Sequence, residues 1–164
     1  MLDVLALAAL CVPDVAPLTM AAIVRHESRA QPYAIQINGP WHLSRQPSTL
    51  EEAVEISGRL YAKGLNFDSG LAQLNSVNVS RLGASWRQVF TPCTHLQLAA
   101  RVLKGCFMRQ RETEPSAQRA LASALSCYNT GNAVRGFTNG YVRSVYASAA
   151  HSPNVRLHTA QNSP

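Results

Sequence analysis

The sequence predicts an α+β fold that is predominantly helical and carries one small extended lobe. Three observations support this prediction. Apolar residues recur at helical spacing in several separate segments of the chain. Residues 30–47 have no such period and include three prolines beside Asn38 and Gly39, which is typical of a loop or short irregular β region. At 164 residues, the chain is long enough for one domain with a single core.

Three helices are predicted in the first half of the chain, on either side of the irregular region. Pro17 suits the first turn of the second helix. The third helix opens with a capping box at residues 48–51 and closes at Gly64. Residues 66–73 are predicted to be extended, and Asn75 is predicted to begin a short helix or turn. The three helices are predicted at residues 2–10, 17–27 and 50–61.

Three further helices are predicted in the second half of the chain. A polar loop over residues 109–115 separates the first two, and a turn-rich segment over residues 131–140 separates the last two. The end of the chain has no helical period, so we predict a domain over residues 1–149 and a loose tail over residues 150–164. The helices are predicted at residues 96–107, 116–126 and 141–149.

The positive charge of the chain indicates a negatively charged partner. The formal net charge is +6 and the sequence pI is about 9.6. Nucleic acid is the first alternative, but the Lys and Arg residues are scattered singly and no aromatic residues are interleaved with them. We therefore predict no nucleic-acid partner, whereas an anionic cell-wall polymer suits such a diffuse charge. No apolar segment reaches the length of a membrane span, so no membrane span is predicted.

The opening segment, Met1 to Cys11, is apolar like the core of a signal peptide. It differs because Asp3 stands where a basic leader is expected and no small-x-small cleavage site follows in the right place. We interpret this segment as the first core helix of a mature domain. The expected location is the periplasm, with the export signal outside this sequence.

The four cysteines, Cys11, Cys93, Cys106 and Cys127, permit two disulfides. Cys93 and Cys106 lie at opposite ends of one predicted helix, too far apart to bond each other. The predicted pairs are Cys11 with Cys93 and Cys106 with Cys127, since an oxidising periplasm favours pairing. Four buried free thiols are the alternative. Neither the cysteines nor the histidines have metal-ligand spacing, so no metal or other cofactor is predicted.

Glu27 is the strongest candidate for a catalytic residue. It lies at the end of the second predicted helix, whose other residues are mostly apolar. A carboxyl group against apolar surface keeps its proton more easily, and a general acid needs that proton at neutral pH. The alternative is a solvated glutamate paired with Arg25 or Arg29.

Two further segments carry polar side chains that suit a sugar ligand. Residues 70–75 alternate apolar and polar side chains, so in an extended strand Gln73 and Asn75 would point to the same side. Their amides donate and accept hydrogen bonds, which suits hydroxyl and N-acetyl groups. Tyr128 and Asn129 offer a phenol and an amide after a helix. The alternatives are a β-turn whose amides bond its own backbone and a tyrosine that anchors the core.

The order of these motifs resembles that of the soluble lytic transglycosylases. Glu27-Ser28, Gly70-Leu71-x-Gln73-x-Asn75 and Tyr128-Asn129 resemble the Glu-Ser, Gly-Leu-Met-Gln and Ala-Tyr-Asn motifs of that family. The resemblance covers roughly residues 11–147. It extends to the subgroup that serves type IV secretion and conjugation systems, through residues 32–35, 92–94, 128–132 and 136–142.

The resemblance implies a lysozyme-like fold, with the catalytic acid at a helix end facing a small β lobe. It also implies cleavage of the β-1,4 bond between N-acetylmuramic acid and N-acetylglucosamine in peptidoglycan, leaving a 1,6-anhydromuramoyl end. Glu27 would protonate the leaving oxygen and then act as a base towards the C6 hydroxyl. The resemblance implies that Gln73, Asn75 and Tyr128 bind and orient the sugar, and that Ser28 and Asn129 belong to the same substrate-binding set in a supporting role. The implied partners are peptidoglycan strands and components of a type IV secretion system.

Two positions depart from the family pattern. Ala72 replaces the usual Met, and Cys127 replaces the usual Ala. The loss of Met is expected to remove an apolar wall near the acid and to change the fit of the muramoyl ring. Neither change removes a proton-transfer group.

Two other functions stay open on the sequence. Asp68 could hold a water and make the chain a hydrolytic muramidase together with Glu27. The favoured role of Asp68 is instead to fix a turn by bonding backbone amides. The other alternative is a non-catalytic domain that binds peptidoglycan or a component of the secretion assembly, and the basic charge fits that role.

Overall fold

The computed structural model describes residues 2–151. In this range the chain forms nine helices and one three-stranded sheet, which confirms the predicted α+β class with a predominance of helix. The predicted tail beyond residue 151 lies outside the described residues. The helices are α1 Val4–Cys11, α2 Pro17–Ser28, α3 Leu50–Ala62, α4 Ser76–Arg81, α5 Trp86–Val89, α6 Pro92–Arg111, α7 Ala117–Thr130, α8 Arg135–Thr138 and α9 Tyr141–Ala150. The strands are β1 Ile35–Ile37, β2 Phe67–Ser69 and β3 Leu74–Asn75.

Helix α2 runs through the main hydrophobic core. Five consecutive residues, 20–24, are buried, so the helix is enclosed on nearly every side. It packs against α1 and α9. The helix ends at Arg29, whose backbone adopts the left-handed conformation with φ 52°. This ending places Glu27 in the last turn of a rigidly held helix.

The sheet and α3 form a second, smaller core. Its buried apolar side chains come mainly from Ile35, Ile37 and Phe67 of the sheet and from Ala53 and Leu60 of α3. Strands β1 and β3 both pair with β2 in antiparallel fashion. This lobe corresponds to the small β lobe that the sequence predicts.

The sheet carries a row of polar side chains opposite its buried face. Gln36 of β1 lies across from Asp68 of β2, and Asp68 lies across from Asn75 of β3. Residues directly opposite each other in an antiparallel sheet project from the same face. The register therefore brings an amide, a carboxylate and a second amide together.

Both predicted disulfides are present. Cys11 and Cys93 join α1 to the start of α6, with a Cα–Cα distance of 5.4 Å. Cys106 and Cys127 join α6 to α7, with a Cα–Cα distance of 5.9 Å. The alternative of four free thiols is therefore wrong.

Several helix boundaries differ from the predicted ones. Helix α6 begins at Pro92 rather than near residue 96, because proline in the first turn lacks only a hydrogen that no helical bond uses. It also continues to Arg111, so the start of the predicted polar loop is helical. Helix α7 extends to Thr130 and ends at Gly131, which adopts the left-handed conformation.

The capping of α3 lies one residue later than predicted. The N-cap is Thr49, whose Oγ1 accepts a hydrogen bond from the backbone N–H of Glu52. The carboxylate of Glu52 in turn accepts a hydrogen bond from the backbone N–H of Ser48. Glu52 thus bonds the residue before the N-cap rather than the N-cap itself, so the predicted capping box over residues 48–51 is wrong in its reciprocal bond.

Candidate active site

A cavity of about 850 Å³ is bounded by the sheet and by helices α2, α4, α6 and α7. Five of the six predicted site residues line it, namely Glu27, Gln73, Asn75, Tyr128 and Asn129. The structure therefore brings together side chains from segments that are far apart in the sequence. Ser28 is the exception, because it does not line the cavity.

The environment of Glu27 favours its protonated form. Burial raises the pKa of Glu27 from 4.5 to about 7. The hydroxyl of Tyr141 donates a hydrogen bond of 2.7 Å to Oε1, which lowers the pKa and so opposes this effect, whereas the nearby charge of Asp68 raises it further. Burial outweighs the hydrogen bond. The carboxyl group thus titrates near neutral pH, where it can both donate and accept a proton.

Tyr141 is a site residue that the sequence analysis missed. Its ring packs edge-to-face against His26, with ring centroids 5.0 Å apart. Its backbone N–H donates to Oδ1 of Asn139, and Nδ2 of Asn139 donates to Oδ1 of Asn129. Burial and the charge of Glu27 raise the pKa of Tyr141, so the phenol stays neutral. The sequence indicated its role only through its position in residues 136–142, one of the segments that resemble the subgroup serving type IV secretion.

The segment before β3 is a turn rather than the predicted strand. Gly70 and Gln73 have φ angles of 78° and 48°, which an extended strand does not adopt. The side-chain Nε2 of Gln73 donates to the carbonyl oxygens of Gly70 and Ala34. The prediction of an extended segment through residue 73 is therefore wrong, and the turn alternative is the correct one. Gln73 and Asn75 still reach the same cavity.

Three side chains that are buried or partly buried hold this turn in place. Ser28 donates from Oγ to the carbonyl oxygen of Leu71 at 2.7 Å. Tyr128 donates from its hydroxyl to the carbonyl oxygen of Ala72 at 2.8 Å. Nε2 of His95 accepts from the backbone N–H of Ala72 at 2.8 Å. The turn is thus fixed by side chains of α2, α7 and α6.

His95 is a second residue that the sequence analysis did not single out. It is fully buried, and its other ring nitrogen, Nδ1, lies 2.7 Å from the carbonyl oxygen of Val89. Because Nε2 accepts from Ala72, Nδ1 carries the hydrogen and donates. Burial lowers the pKa of His95 to about 4, so the imidazole is neutral. A lone histidine in the sequence gives no signal for this role.

Asp68 is held by side-chain amides, not by the backbone amides that the sequence analysis favours. Its Oδ2 accepts from Nδ2 of Asn38 at 2.9 Å, and its Oδ1 accepts from Nδ2 of Asn75 at 2.8 Å. Burial raises the pKa of Asp68, and these two hydrogen bonds oppose that effect. Asn75 is also fully engaged, because its Oδ1 accepts from Asn66 and from the N–H of Val77.

The two departures from the family motifs lie in different places. Ala72 is fully buried in the main core and does not line the cavity. Cys127 lines the cavity together with Cys106, so their disulfide is part of its wall. The departure that reaches the cavity is therefore Cys127.

The described residues contain neither a group of side chains suited to a metal ion nor a helix suited to span a membrane. No three His, Cys, Asp or Glu side chains among residues 2–151 are grouped so that they could hold a metal ion. In the same range, none of the helices combines the length and the apolar character needed to cross a membrane.

Comparison with known proteins gives one family and a set of relatives. Residues 5–150 match the family described as the transglycosylase SLT domain. The type IV secretion system protein virB1 of Brucella abortus is 43% identical over 155 residues, which cover 91% of this chain and 65% of that protein. Protein virB1 of Agrobacterium fabrum is 39% identical over 139 residues, which cover 85% of this chain and 56% of that protein.

A third relative gives the same result. Protein virB1 of Rhizobium radiobacter is 40% identical over 139 residues, which cover 85% of this chain and 57% of that protein. The chain thus spans less than two thirds of the length of these relatives. No solved structure gives a significant match to the chain. Because the family match covers nearly all of the described residues, this chain belongs to the transglycosylase SLT domain family.

Proposed function

We propose that this chain is a lytic transglycosylase that cleaves the β-1,4 bond between N-acetylmuramic acid and N-acetylglucosamine in peptidoglycan and leaves a 1,6-anhydromuramoyl end. The observation that carries the proposal is the state of Glu27. Its pKa of about 7 lets one carboxyl group serve as an acid and then as a base near neutral pH. Family membership supplies the reaction class.

The acid step uses the oxygen of Glu27 that Tyr141 leaves open. Oε1 accepts the hydrogen bond from Tyr141, so the carboxyl proton resides on Oε2. Oε2 has no hydrogen-bond partner among residues 2–151. From there the proton passes to the glycosidic oxygen as the bond to C1 of the muramoyl residue breaks.

The base step returns the proton to the same residue. The carboxylate formed in the first step takes the proton of the C6 hydroxyl while that oxygen bonds to C1, so the reaction consumes no water. The hydrogen bond from Tyr141 stabilises the carboxylate between the two steps. No second carboxylate acts as a nucleophile in this scheme.

Two side chains retain open hydrogen-bonding atoms for the sugar. Gln73 commits its Nε2 to the backbone, which leaves Oε1 as an acceptor for an acetamido N–H or a hydroxyl. Asn129 commits its Oδ1 to Asn139, which leaves Nδ2 as a donor. Tyr128 and Asn75 line the same wall, but their N–H and O–H groups already donate to other protein groups. We therefore propose that they maintain the shape of the cavity.

The setting that we propose is the periplasm, where local opening of the cell wall precedes assembly of a secretion or conjugation apparatus. The name of the Brucella relative, type IV secretion system protein virB1, supports this setting. The two disulfides also support an oxidising compartment.

Hydrolysis by a muramidase is the second candidate, and one observation favours it. Asp68 lines the same cavity as Glu27, and its charge raises the pKa of Glu27. A hydrolase would use such a carboxylate to activate a water. Against this role, both carboxylate oxygens of Asp68 already accept hydrogen bonds from amides.

Mass spectrometry of the products released from purified peptidoglycan tests the proposal. Wild-type protein is expected to release muropeptides with anhydro ends, and Glu27→Gln is expected to lower the rate at least about a hundredfold, the usual contribution of a general acid. Glu112→Gln is the matched control, because Glu112 is exposed and outside the cavity. Reducing ends would favour the muramidase, and binding without any cleavage would favour a non-catalytic role.

A further inference from the structure

Three arginines line one side of the cavity. Arg101 and Arg109 lie eight residues apart on α6 with Gly105 between them, and Arg81 lies in the last turn of α4. Eight residues of helix span about 12 Å, so the α6 pair forms a stripe rather than a single point. In the linear sequence these residues are scattered singly, and the helix brings two of them onto one face.

These arginines have no acidic partner in the part of the chain that the structure describes. The ion pairs of residues 2–151 involve other cations, such as Lys104 with Asp14 and Arg87 with Glu51. Lys104 lies on the same helix as the stripe but outside the cavity. The basic groups inside the cavity therefore stay available to a ligand.

The position of Arg109 is supported by the disulfide between Cys106 and Cys127. Its Nη2 lies 3.3 Å from Sγ of Cys127 and 3.5 Å from Sγ of Cys106. Cys127, which stands where the family motif has alanine, thus helps to support a guanidinium group at the cavity wall through its disulfide. Such support reduces the rotamer entropy that a long side chain loses on binding.

The charges of the cavity are segregated by structural element. The acidic groups, Glu27 and Asp68, come from α2 and β2, whereas the three arginines come from α4 and α6. A neutral glycan needs no cationic wall. The peptides attached to the muramoyl residues of peptidoglycan, however, carry free carboxylates, and guanidinium groups bind carboxylates with two parallel hydrogen bonds.

We propose that Arg81, Arg101 and Arg109 form a subsite that binds the carboxylates of these peptides, so that the enzyme prefers peptide-bearing glycan over bare glycan. This inference rests on the proposed function, because it assigns the peptide-bearing part of the same substrate to the same cavity. The arginines act on substrate selection and take no part in proton transfer.

Kinetics on two matched substrates test the subsite. One is intact peptidoglycan, and the other is the same glycan after an amidase has removed its peptides and the lactyl carboxylates left by this hydrolysis have been converted to methyl amides, so that it carries no carboxylate. The double variant Arg101→Gln/Arg109→Gln and the variant Arg81→Gln are each expected to lower kcat/KM on intact peptidoglycan about three- to tenfold, the range for partly exposed charged contacts. On bare glycan the change is expected to stay below about twofold. The control Arg87→Gln removes one charge outside the cavity and so matches Arg81→Gln, and the control Arg87→Gln/Arg59→Gln removes two and so matches the double variant.

Equal losses on both substrates, or none on intact peptidoglycan, would overturn the subsite. A binding measurement separates its failure from that of the proposed function. In the Glu27→Gln background, pull-down on beads that carry either the intact or the peptide-free glycan is expected to favour the intact one, and the arginine variants are expected to abolish that preference. If wild type releases no anhydro product yet shows this preference, the transglycosylase reaction fails and the subsite stands. If binding to the two substrates is equal, the subsite fails.

Discussion

At the scale of single residues, the chemistry depends on how three effects combine at Glu27. Burial and the charge of Asp68 raise its pKa, and the hydrogen bond from Tyr141 lowers it. The sequence predicts the direction of the burial effect, because Glu27 ends an apolar helix. It does not predict the other two, since Tyr141 lies 114 positions away and meets Glu27 only through the packing of α9 on α2.

Replacing Tyr141 with phenylalanine is expected to shift the pH profile upwards. The hydrogen bond stabilises the carboxylate, so its loss raises the pKa of Glu27 above about 7. The reaction starts from the protonated acid, and kcat/KM therefore falls as the pH rises through that pKa. We expect this alkaline limb to move up by about one pH unit in Tyr141→Phe, which corresponds to about 1.4 kcal/mol.

The pH dependence of kcat/KM from pH 5 to 9 provides the measurement. Tyr146→Phe is the matched control, because Tyr146 lies on the same helix and is exposed. A limb that moves down, or does not move, would show that Tyr141 leaves the protonation of Glu27 unchanged.

At the scale of elements, the turn over residues 70–73 is the most constrained part of the site. Gly70 has a φ of 78°, and a Cβ there would lie 2.5 Å from the ring of His95. The sequence signals a turn only weakly, since alternation of apolar and polar residues also fits a strand. Hydrogen bonds with Ser28, His95 and Tyr128 stabilise the turn over the strand.

Gly70→Ala is expected to destabilise the protein by about 2–5 kcal/mol, from backbone strain and overpacking together. Gly64→Ala is the matched control, because Gly64 has a φ of 70° but no atom within 4 Å of the added Cβ. The loss of stability in Gly64→Ala therefore measures the backbone strain alone, which costs about 1–2 kcal/mol. Urea unfolding of both variants gives the comparison. Equal losses would mean that the contact with His95 relaxes without cost.

At the scale of the whole molecule, both disulfides attach to α6. One bridges 82 positions of sequence and joins α6 to α1, and the other bridges 21 positions and joins it to α7. Since α6 also provides two arginines and one wall of the cavity, it connects the main core to the site. A helix of this length keeps Cys93 and Cys106 apart, as the sequence predicts.

Replacing each cysteine pair with serine is expected to separate stability from activity. The longer loop gives the larger loss, about 4–5 kcal/mol for Cys11 and Cys93 against about 3 kcal/mol for Cys106 and Cys127, if chain entropy dominates. Only the second pair lines the cavity and precedes Tyr128, so only its loss is expected to lower kcat/KM of the folded protein. Urea unfolding and kinetics measured below the unfolding transition check both statements. If the two replacements change kcat/KM equally, the disulfide between Cys106 and Cys127 has no specific role at the site.

The sequence by itself determined the helical class, the small β lobe, the exclusion of a bond between Cys93 and Cys106, and the candidate acid. These features follow from local periodicity, turn residues, helix length and recognisable motifs, which are all written along the chain. Only the tertiary structure decided the turn at residues 70–73, the partner of Glu27 and the arginine-lined wall. The physical reason is that burial, hydrogen-bond partners and neighbouring charges are set by the packing of distant segments, and these are the quantities that fix a pKa and shape a cavity.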